Sequence, residues 1–281
     1  MNALIRPHSV GLLALTTVAV LAAQVVRGPF TATPTNGPRS PQQEEQAGCL
    51  PPPASMIGWW PFDVSEPSDS GGGDWYRDMA GIVNVAEPVG NLTTTSGYVA
   101  GAITLNGVDE FVRVAAHPEL AFGTGDFSID AWIRIDDAKA ASAGRHPIVD
   151  KSELGPMDQP LGYTFFVEDG HLGFSMSGVN GPIASVVSQA TIASDWQFVA
   201  VSVLRSPSQS GGVGTLYING SAAETFAVGP GTESLDNEAE LLIGADSLMS
   251  GGQGNHYFWG GIDEVELFRR ALTADEILAI Y

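Results

Sequence analysis

The sequence predicts an all-β protein, a two-sheet antiparallel jelly-roll sandwich with a short C-terminal helix. Short runs of alternating apolar and polar residues follow one another through most of the chain, which is the pattern of half-buried strands. Asx-Gly pairs separate several of these runs and supply the positive φ that tight turns require. Because only the last segment has a convincing helix pattern, many strands joined by long returns favour a sandwich.

The N-terminal residues 1–23 have the pattern of an export signal. Arg6 and His8 lie in a polar n-region, and an apolar run over residues 10–23 ends in small residues, as signal peptidase requires. We therefore expect a secreted, periplasmic or cell-surface protein whose mature chain starts near Ala23 or Gln24. The run is short for a membrane span, but an uncleaved N-terminal anchor is the alternative.

Residues 24–55 form a linker rich in Pro, Thr and Gln, in which Pro51-Pro52-Pro53 is a stiff spacer. The predicted domain covers residues 56–281. Cys49 is the single cysteine of the sequence, so no intramolecular disulfide can form and the fold must rest on its core.

The chain is strongly acidic, with a formal net charge of −20 and two lysines, Lys139 and Lys151. Such a surface repels phosphate backbones and argues against nucleic acid as a partner. The simpler interpretation of the acidity is solubility, and the sharper one is affinity for divalent cations.

Turn and strand signals divide the domain into elements. Three Asx-Gly pairs lie between strand-like runs, namely Asn106-Gly107, Asp169-Gly170 and Asn219-Gly220. The last two predict tight hairpins, and the first predicts a turn with a longer loop. In residues 127–135 alternate apolar side chains share one face and predict a core strand.

The closing stretch, residues 260–281, predicts a strand followed by a helix. Strict alternation puts two sets of residues on opposite faces of the strand, Asp263, Val265 and Leu267 on one and Glu264, Glu266 and Phe268 on the other. Thr273 precedes Glu276 by three residues, which is the spacing of a capping box at a helix start.

Several motifs occur in an order that resembles a known family: residues 59–63, 105–112, 127–133, 196–200, 216–220, 242–244 and the closing stretch. Together they resemble laminin-G-like domains of the concanavalin A-like lectin/glucanase superfamily, in an exported protein of bacterial type. The resemblance implies a concanavalin A-like jelly roll. It leaves the function open, since this fold carries lectins, glycanases, lyases and adhesion modules.

No catalytic residue is assigned. The Glu-x-Asp-x-x-Glu motif of the sandwich glycanases is missing from the sequence, and Glu264 and Glu266, ~7 Å apart on one strand face, are most simply solvated. We expect a non-catalytic binding module whose ligand is a carbohydrate or surface glycan. A structural or adhesion module that binds an extracellular protein is the alternative, and a glycan-cleaving enzyme with an unfamiliar site is a third.

Ligand-binding candidates come from the strand of residues 127–135. Asp130, Trp132 and Arg134 alternate on the face opposite its apolar residues, and an acid, an aromatic ring and a guanidinium in a row suit a polar ligand. His256 is a further candidate, in a Gly-rich loop that could rim the same face. The competing and favoured interpretation of Trp132 is that a loop covers it and it packs.

A structural calcium ion is the predicted cofactor. A carboxylate that continues an apolar stripe, as Asp263 does, is costly unless it is paired or bound to a cation, and calcium accepts carboxylate and carbonyl oxygens. The resemblance implies that the first and last strands lie side by side, so that Asp63 and Asp263 could share an ion, with Asp78 and the turn at Gly107 as further candidates. The alternative is that Asp63 caps a loop and Asp263 accepts from backbone amides.

Overall fold

A computed structural model describes residues 55–67, 74–81, 84–136, 144–155, 158–206, 211–230, 233–247 and 256–281. The predicted export signal and nearly all of the predicted linker lie outside these residues and stay predictions. No helix in this part of the chain is long and apolar enough to cross a membrane. The first strand of the described residues begins at Met56.

The described residues form strands, one 3₁₀ helix at Pro118–Leu120 and a short α-helix, α1, at Ala274–Ile280. The strands are β1 (Met56–Trp60), β2 (Glu66–Pro67), β3 (Asp74–Trp75), β4 (Ala86–Val89), β5 (Thr93–Ser96), β6 (Gly101–Asn106), β7 (Phe111–Val114), β8 (Phe127–Ile135), β9 (Arg145–Leu154), β10 (Pro160–Glu168), β11 (His171–Gly178), β12 (Gly181–Thr191), β13 (Gln197–Leu204), β14 (Gly212–Ile218), β15 (Ser221–Val228), β16 (Leu241–Ile243) and β17 (Trp259–Phe268).

Two large antiparallel sheets form the sandwich that the sequence predicts. The eight-stranded sheet has the order β15-β14-β13-β8-β17-β6-β5, with β1 also paired to β17. The seven-stranded sheet has the order β12-β11-β10-β9-β16-β7-β4. The closing strand β17 therefore lies inside its sheet, between β8 and β6, and also pairs with the first strand.

The main core lies between the two sheets. Alternate residues of β8, from Phe127 to Ile135, all enter this core, so the predicted core face of that strand is confirmed. A second, smaller apolar cluster lies on the outer face of the eight-stranded sheet, where α1 covers it. Leu272 and Ile277 are buried there, because the capping box of Thr273 and Glu276 fixes the start of the helix as predicted.

The three Asx-Gly pairs do not all make hairpins. Asp169-Gly170 joins β10 to β11 and Asn219-Gly220 joins β14 to β15, both as tight turns with positive φ at the two positions. Asn106-Gly107 instead carries the chain from the eight-stranded sheet to the seven-stranded sheet, since β6 and β7 belong to different sheets. The Asn106 side chain accepts from the amides of Val108 and Asp109, which holds this crossing.

A β-bulge in β17 overturns the predicted alternation at Asp263. The pairing of β17 with β8 shifts between Asp263 and Glu266, and Glu264 has a φ of 49°. The extra residue puts Asp263 opposite Trp132 on the outer face, while Val265 and Leu267 still enter the core. Asp263 was predicted to share their face, and the bulge is the physical reason that it does not.

Candidate functional site

The predicted residues Asp130 and Trp132 lie on the outer face of the eight-stranded sheet, beside β17. Glu266 is paired with Asp130 across the two strands, and the bulge turns Glu264 toward the same place. We call the resulting cavity of about 110 Å³ the acidic cleft, and its lining residues are Val99, Asp130, Trp132, Phe198, Glu264, Glu266 and Ile280. Three carboxylates line this cavity together with aromatic and aliphatic side chains.

The carboxyl groups of the acidic cleft are shifted toward their protonated forms. Burial raises the pKa of Glu266 to about 8, repulsion from Glu264 adds to it, and the hydrogen bond with Asp130 opposes it. Burial, followed by the charges of Glu266 and Glu264, holds the pKa of Asp130 well above its usual range. Two carboxylates can hydrogen-bond only through a proton, so the pair shares one near neutral pH.

Trp132 is covered rather than available for stacking. Its ring stacks on Tyr98, with centroids 3.3 Å apart and an interplanar angle of 14°, and also contacts Phe198 and Tyr281. Only 5% of Trp132 is exposed. Arg134 lies further along the same face, 5.1 Å above the ring of Trp196.

The four predicted calcium ligands are not all brought together. Asp78 uses its carboxylate to hold its own loop, accepting from the amides of Trp59 and Ala80 and from Asn84. Gly107 lies too far from Asp263 to share an ion with it. It follows Asn106, which pairs with Trp259, and Trp259 is four residues from Asp263, or ~13 Å along an extended strand.

Asp63 and Asp263 do lie close together, on either side of the turn that joins β5 to β6. Oδ1 of Asp63 accepts from the amide of Gly101 at 2.9 Å, and Oδ2 of Asp263 accepts from the amides of Tyr98 and Val99, each at 2.9 Å. Burial raises the pKa of Asp263 to about 7, and Asp63 contributes to the increase. In the described part of the chain, Oδ1 of Asp263 is buried with no hydrogen-bond partner, which fits a cation ligand.

His256 lies apart from the acidic cleft, at the seven-stranded sheet. Its Nδ1 is 2.8 Å from Oδ2 of Asp246, and its neighbour Tyr257 forms a bridge with Ala245, just after β16. The half-buried ring of Tyr257 faces Phe111 of β7, with centroids 6.1 Å apart. The predicted ligand-binding set is thus divided between two faces of the sandwich.

A row of polar side chains crosses four strands of this second face. Successive strand pairing aligns Asp150 of β9, Thr164 of β10, Ser175 of β11 and Ser185 of β12. We call this row, together with His256, Asp246, Tyr257 and Phe111, the polar face. Neighbours of the row in each strand enter the core, so the row lies on the opposite face of the sheet, where Asp150 and Thr164 are covered, Ser175 is half-buried and Ser185 is exposed.

Asp150 is the buried end of the row. Its oxygens accept from the hydroxyls of Ser152 and Thr164 and from the amide and hydroxyl of Ser247. Burial raises the pKa of Asp150 to about 6, although the hydrogen bonds from Thr164, Ser152 and the Ser247 amide lower it. The carboxylate therefore fastens Ser247 to the sheet.

The sequence of this antiparallel sandwich matches a known family. A family model, Laminin_G_3, described as the concanavalin A-like lectin/glucanases superfamily, matches residues 106–278, which is more than half of the chain. The chain belongs to this family. A search of curated proteins found no significant match to this laminin-G-like domain.

Solved structures share the fold of the laminin-G-like domain. The binding domain of Paraclostridial Mosquitocidal Protein 1 is 18% identical with a TM-score of 0.58, over 80% of this chain and 51% of that one. The receptor binding domain of botulinum neurotoxin C/D mosaic serotype is 16% identical with a TM-score of 0.60, over 81% and 51%. The botulinum neurotoxin serotype D ligand binding domain in complex with N-acetylneuraminic acid is 16% identical, TM-score 0.60, over 81% and 50%. The chain spans about half the length of these structures, and at such identities the likeness shows the fold alone.

Sequence reasoning missed the polar row of this laminin-G-like domain, although each strand carried a signal. Thr164 and Ser175 are each flanked by apolar residues that alternate into the core. The alternation shows which face they occupy, but their alignment depends on the register of separate strands, which is a tertiary property.

Proposed function

We propose that this laminin-G-like domain is an exported, non-catalytic module that binds a carbohydrate on its polar face. The observation that carries the proposal is the polar face, where the row that ends in half-buried Ser175 and exposed Ser185 lies on the same side of the seven-stranded sheet as the aromatic pair of Phe111 and Tyr257. Sugars are bound by aligned hydrogen-bonding groups next to an aromatic surface. Because the net charge is −20, we propose neutral rather than anionic sugars as ligands.

The binding role is preferred to catalysis because of the size of the acidic cleft. Small-molecule pockets usually span about 300–1,000 Å³, whereas this cavity measures about 110 Å³. Its carboxyl groups therefore have no room for a sugar ring between them. Binding domains of toxins share the fold, which supports the same role by analogy.

A glycan array tests the carbohydrate proposal. The full chain, expressed with its N-terminal signal and recovered from the medium, should have an intact mass that starts near Ala23 or Gln24, and should bind neutral glycans better than sialylated ones. Tyr257→Ala should weaken binding about tenfold. Tyr281→Ala removes an exposed tyrosine that packs on the eight-stranded sheet, and it is the matched control. If the folded protein binds no glycan on the array, a protein-binding adhesion module is favoured. If it releases reducing sugars from polysaccharides, the glycan-cleaving enzyme is favoured.

We also propose that Asp63 and Asp263 share a structural calcium ion. A ligand that binds only the folded state raises the melting temperature with its concentration, so the domain should melt higher in millimolar calcium than in chelator. Asp263→Asn should abolish this difference, while Asp275→Asn, an exposed change in α1, should preserve it. Identical melting midpoints in calcium and in chelator would contradict the calcium proposal.

A further inference from the structure

The acidic cleft contains a buried acceptor that its surroundings leave unsatisfied. Asp130 is 1% exposed, and its Oδ2 has no hydrogen-bond partner in the described residues. Glu266 is within hydrogen-bonding range, and the one proton that the pair shares near neutral pH leaves the pair with one negative charge. A buried acceptor without a donor is costly, so the cleft favours a ligand that brings donors and positive charge.

The lining of the acidic cleft contains no basic residue that could supply this charge. Its seven lining residues include neither lysine nor arginine. The buried Lys151 is engaged elsewhere, because its Nζ donates to the backbone carbonyls of Asn237 and Ala239 and to the Asn237 side chain. The nearest arginine on the same strand, Arg134, lies over Trp196 instead.

The size and the mixed walls of the cleft select the kind of cation. A volume of about 110 Å³ corresponds to about three or four water molecules at ~30 Å³ each, which accommodates the end of an alkylamine. No three acidic, histidine or cysteine side chains in the described ranges are arranged to hold a metal ion. An ammonium group has three donors for carboxylate oxygens, and the apolar lining residues Val99 and Ile280 suit the methylene stem behind the charge.

We propose that the acidic cleft binds a primary alkylammonium group, with Asp130, Glu264 and Glu266 receiving the nitrogen. The mouth of the cleft fits the apolar stem of such a ligand. Val99, which lines the cleft, is 44% exposed, and Tyr98 and Tyr281, which pack against Trp132, are 51% and 47% exposed, so exposed apolar surface lies next to the acidic centre. A lysine side chain has this chemistry, with four methylenes behind the charge, and a free alkylamine shares it.

Calorimetric titration of the full chain with Nα-acetyl-lysine methylamide tests this site. Binding should be lost when the lysine nitrogen is acetylated, since acetylation removes the charge and two donors. Asp130→Asn and Glu266→Gln should each weaken binding about tenfold or more. Glu87→Gln, an isosteric change at the exposed edge of the other sheet, should leave binding unchanged, and melting curves of every variant establish that it is folded.

A parallel titration with n-butylamine separates the two sources of the ligand. Equal affinity for both compounds would show that the cleft recognises the alkylamine alone. Tighter binding of the lysine derivative would show that the ligand is a lysine within a peptide. No binding of either compound would overturn the proposal. Affinity that is insensitive to acetylation, or to both carboxyl substitutions in folded protein, would overturn it as well.

Discussion

Replacing Trp60 by alanine should destabilise the domain by about 3–5 kcal/mol. Trp60 is fully buried in the main core, in the strand that pairs with β17. Its indole Nε1 donates to the carbonyl of Asn84 at 3.0 Å, and a Cβ added at Gly58 would come within 2.6 Å of its ring. The substitution therefore leaves a large cavity among residues that are already tightly packed.

Two matched variants, measured by urea unfolding at fixed pH, separate the loss of the hydrogen bond to Asn84 from the loss of the buried ring. Trp60→Phe keeps much of the buried ring but removes the donor to Asn84, so its loss should be smaller than that of alanine and still exceed about 1 kcal/mol. Trp75→Ala changes a half-buried tryptophan whose ring lies under Arg77, and should cost less than about 1 kcal/mol. Equal losses for Trp60→Ala and Trp75→Ala would contradict the burial argument.

Stability should fall as the pH rises from about 5 to about 8. Burial raises the pKa of Asp150 to about 6, of Asp263 to about 7 and of Glu266 to about 8, whereas unfolded carboxyls titrate near 4. The folded state therefore binds more protons than the unfolded state in this window. Its stabilisation is fully present below the unfolded pKa and is lost as the pH passes each folded pKa.

Glu266→Gln should remove the upper part of this pH dependence. At pH 8 the free energy of unfolding of the variant should exceed that of the original by about 1–2 kcal/mol. This is less than the free energy equivalent to the whole pKa shift, because solvent screens the half-buried Glu266 side chain. At pH 5 the original Glu266 is already protonated, so the two proteins should unfold alike.

The control for this comparison is Glu276→Gln. Glu276 accepts from Arg270 and Thr273, which lower its pKa to about 2, so the change should destabilise the protein at both pH values. Thermal melts of the three proteins at pH 5 and pH 8 provide the measurement. A stability gain for Glu266→Gln that is equal at both values would show that ionisation is not its cause.

The parts of the fold that the sequence predicts are those determined by neighbouring residues. The hairpin at Asp169-Gly170, the core face of β8 and the capping box at Thr273 each depend on residues a few positions apart. The pair Asn106-Gly107 has similar turn chemistry, but it connects the two sheets, because β7 pairs with β16 and β4 rather than with β6.

The candidate sites were less predictable for the same reason. The bulge at Glu264 redirects Asp263 to the outer face, and it depends on how β17 meets β8. Alternation alone gives no sign of it. The split between His256 and Trp132 likewise follows from the chain changing sheets before β17, which no local pattern marks.

The position of β17 has a consequence for the order in which the protein is made. Until residues 259–268 have been synthesised, β8 and β6 lack the partner that joins them, and β1 has nothing to pair with. The eight-stranded sheet is therefore completed by contacts between distant ends of the domain, which form slowly because a long loop must close. A nascent chain of this topology therefore cannot complete its eight-stranded sheet until late in translation.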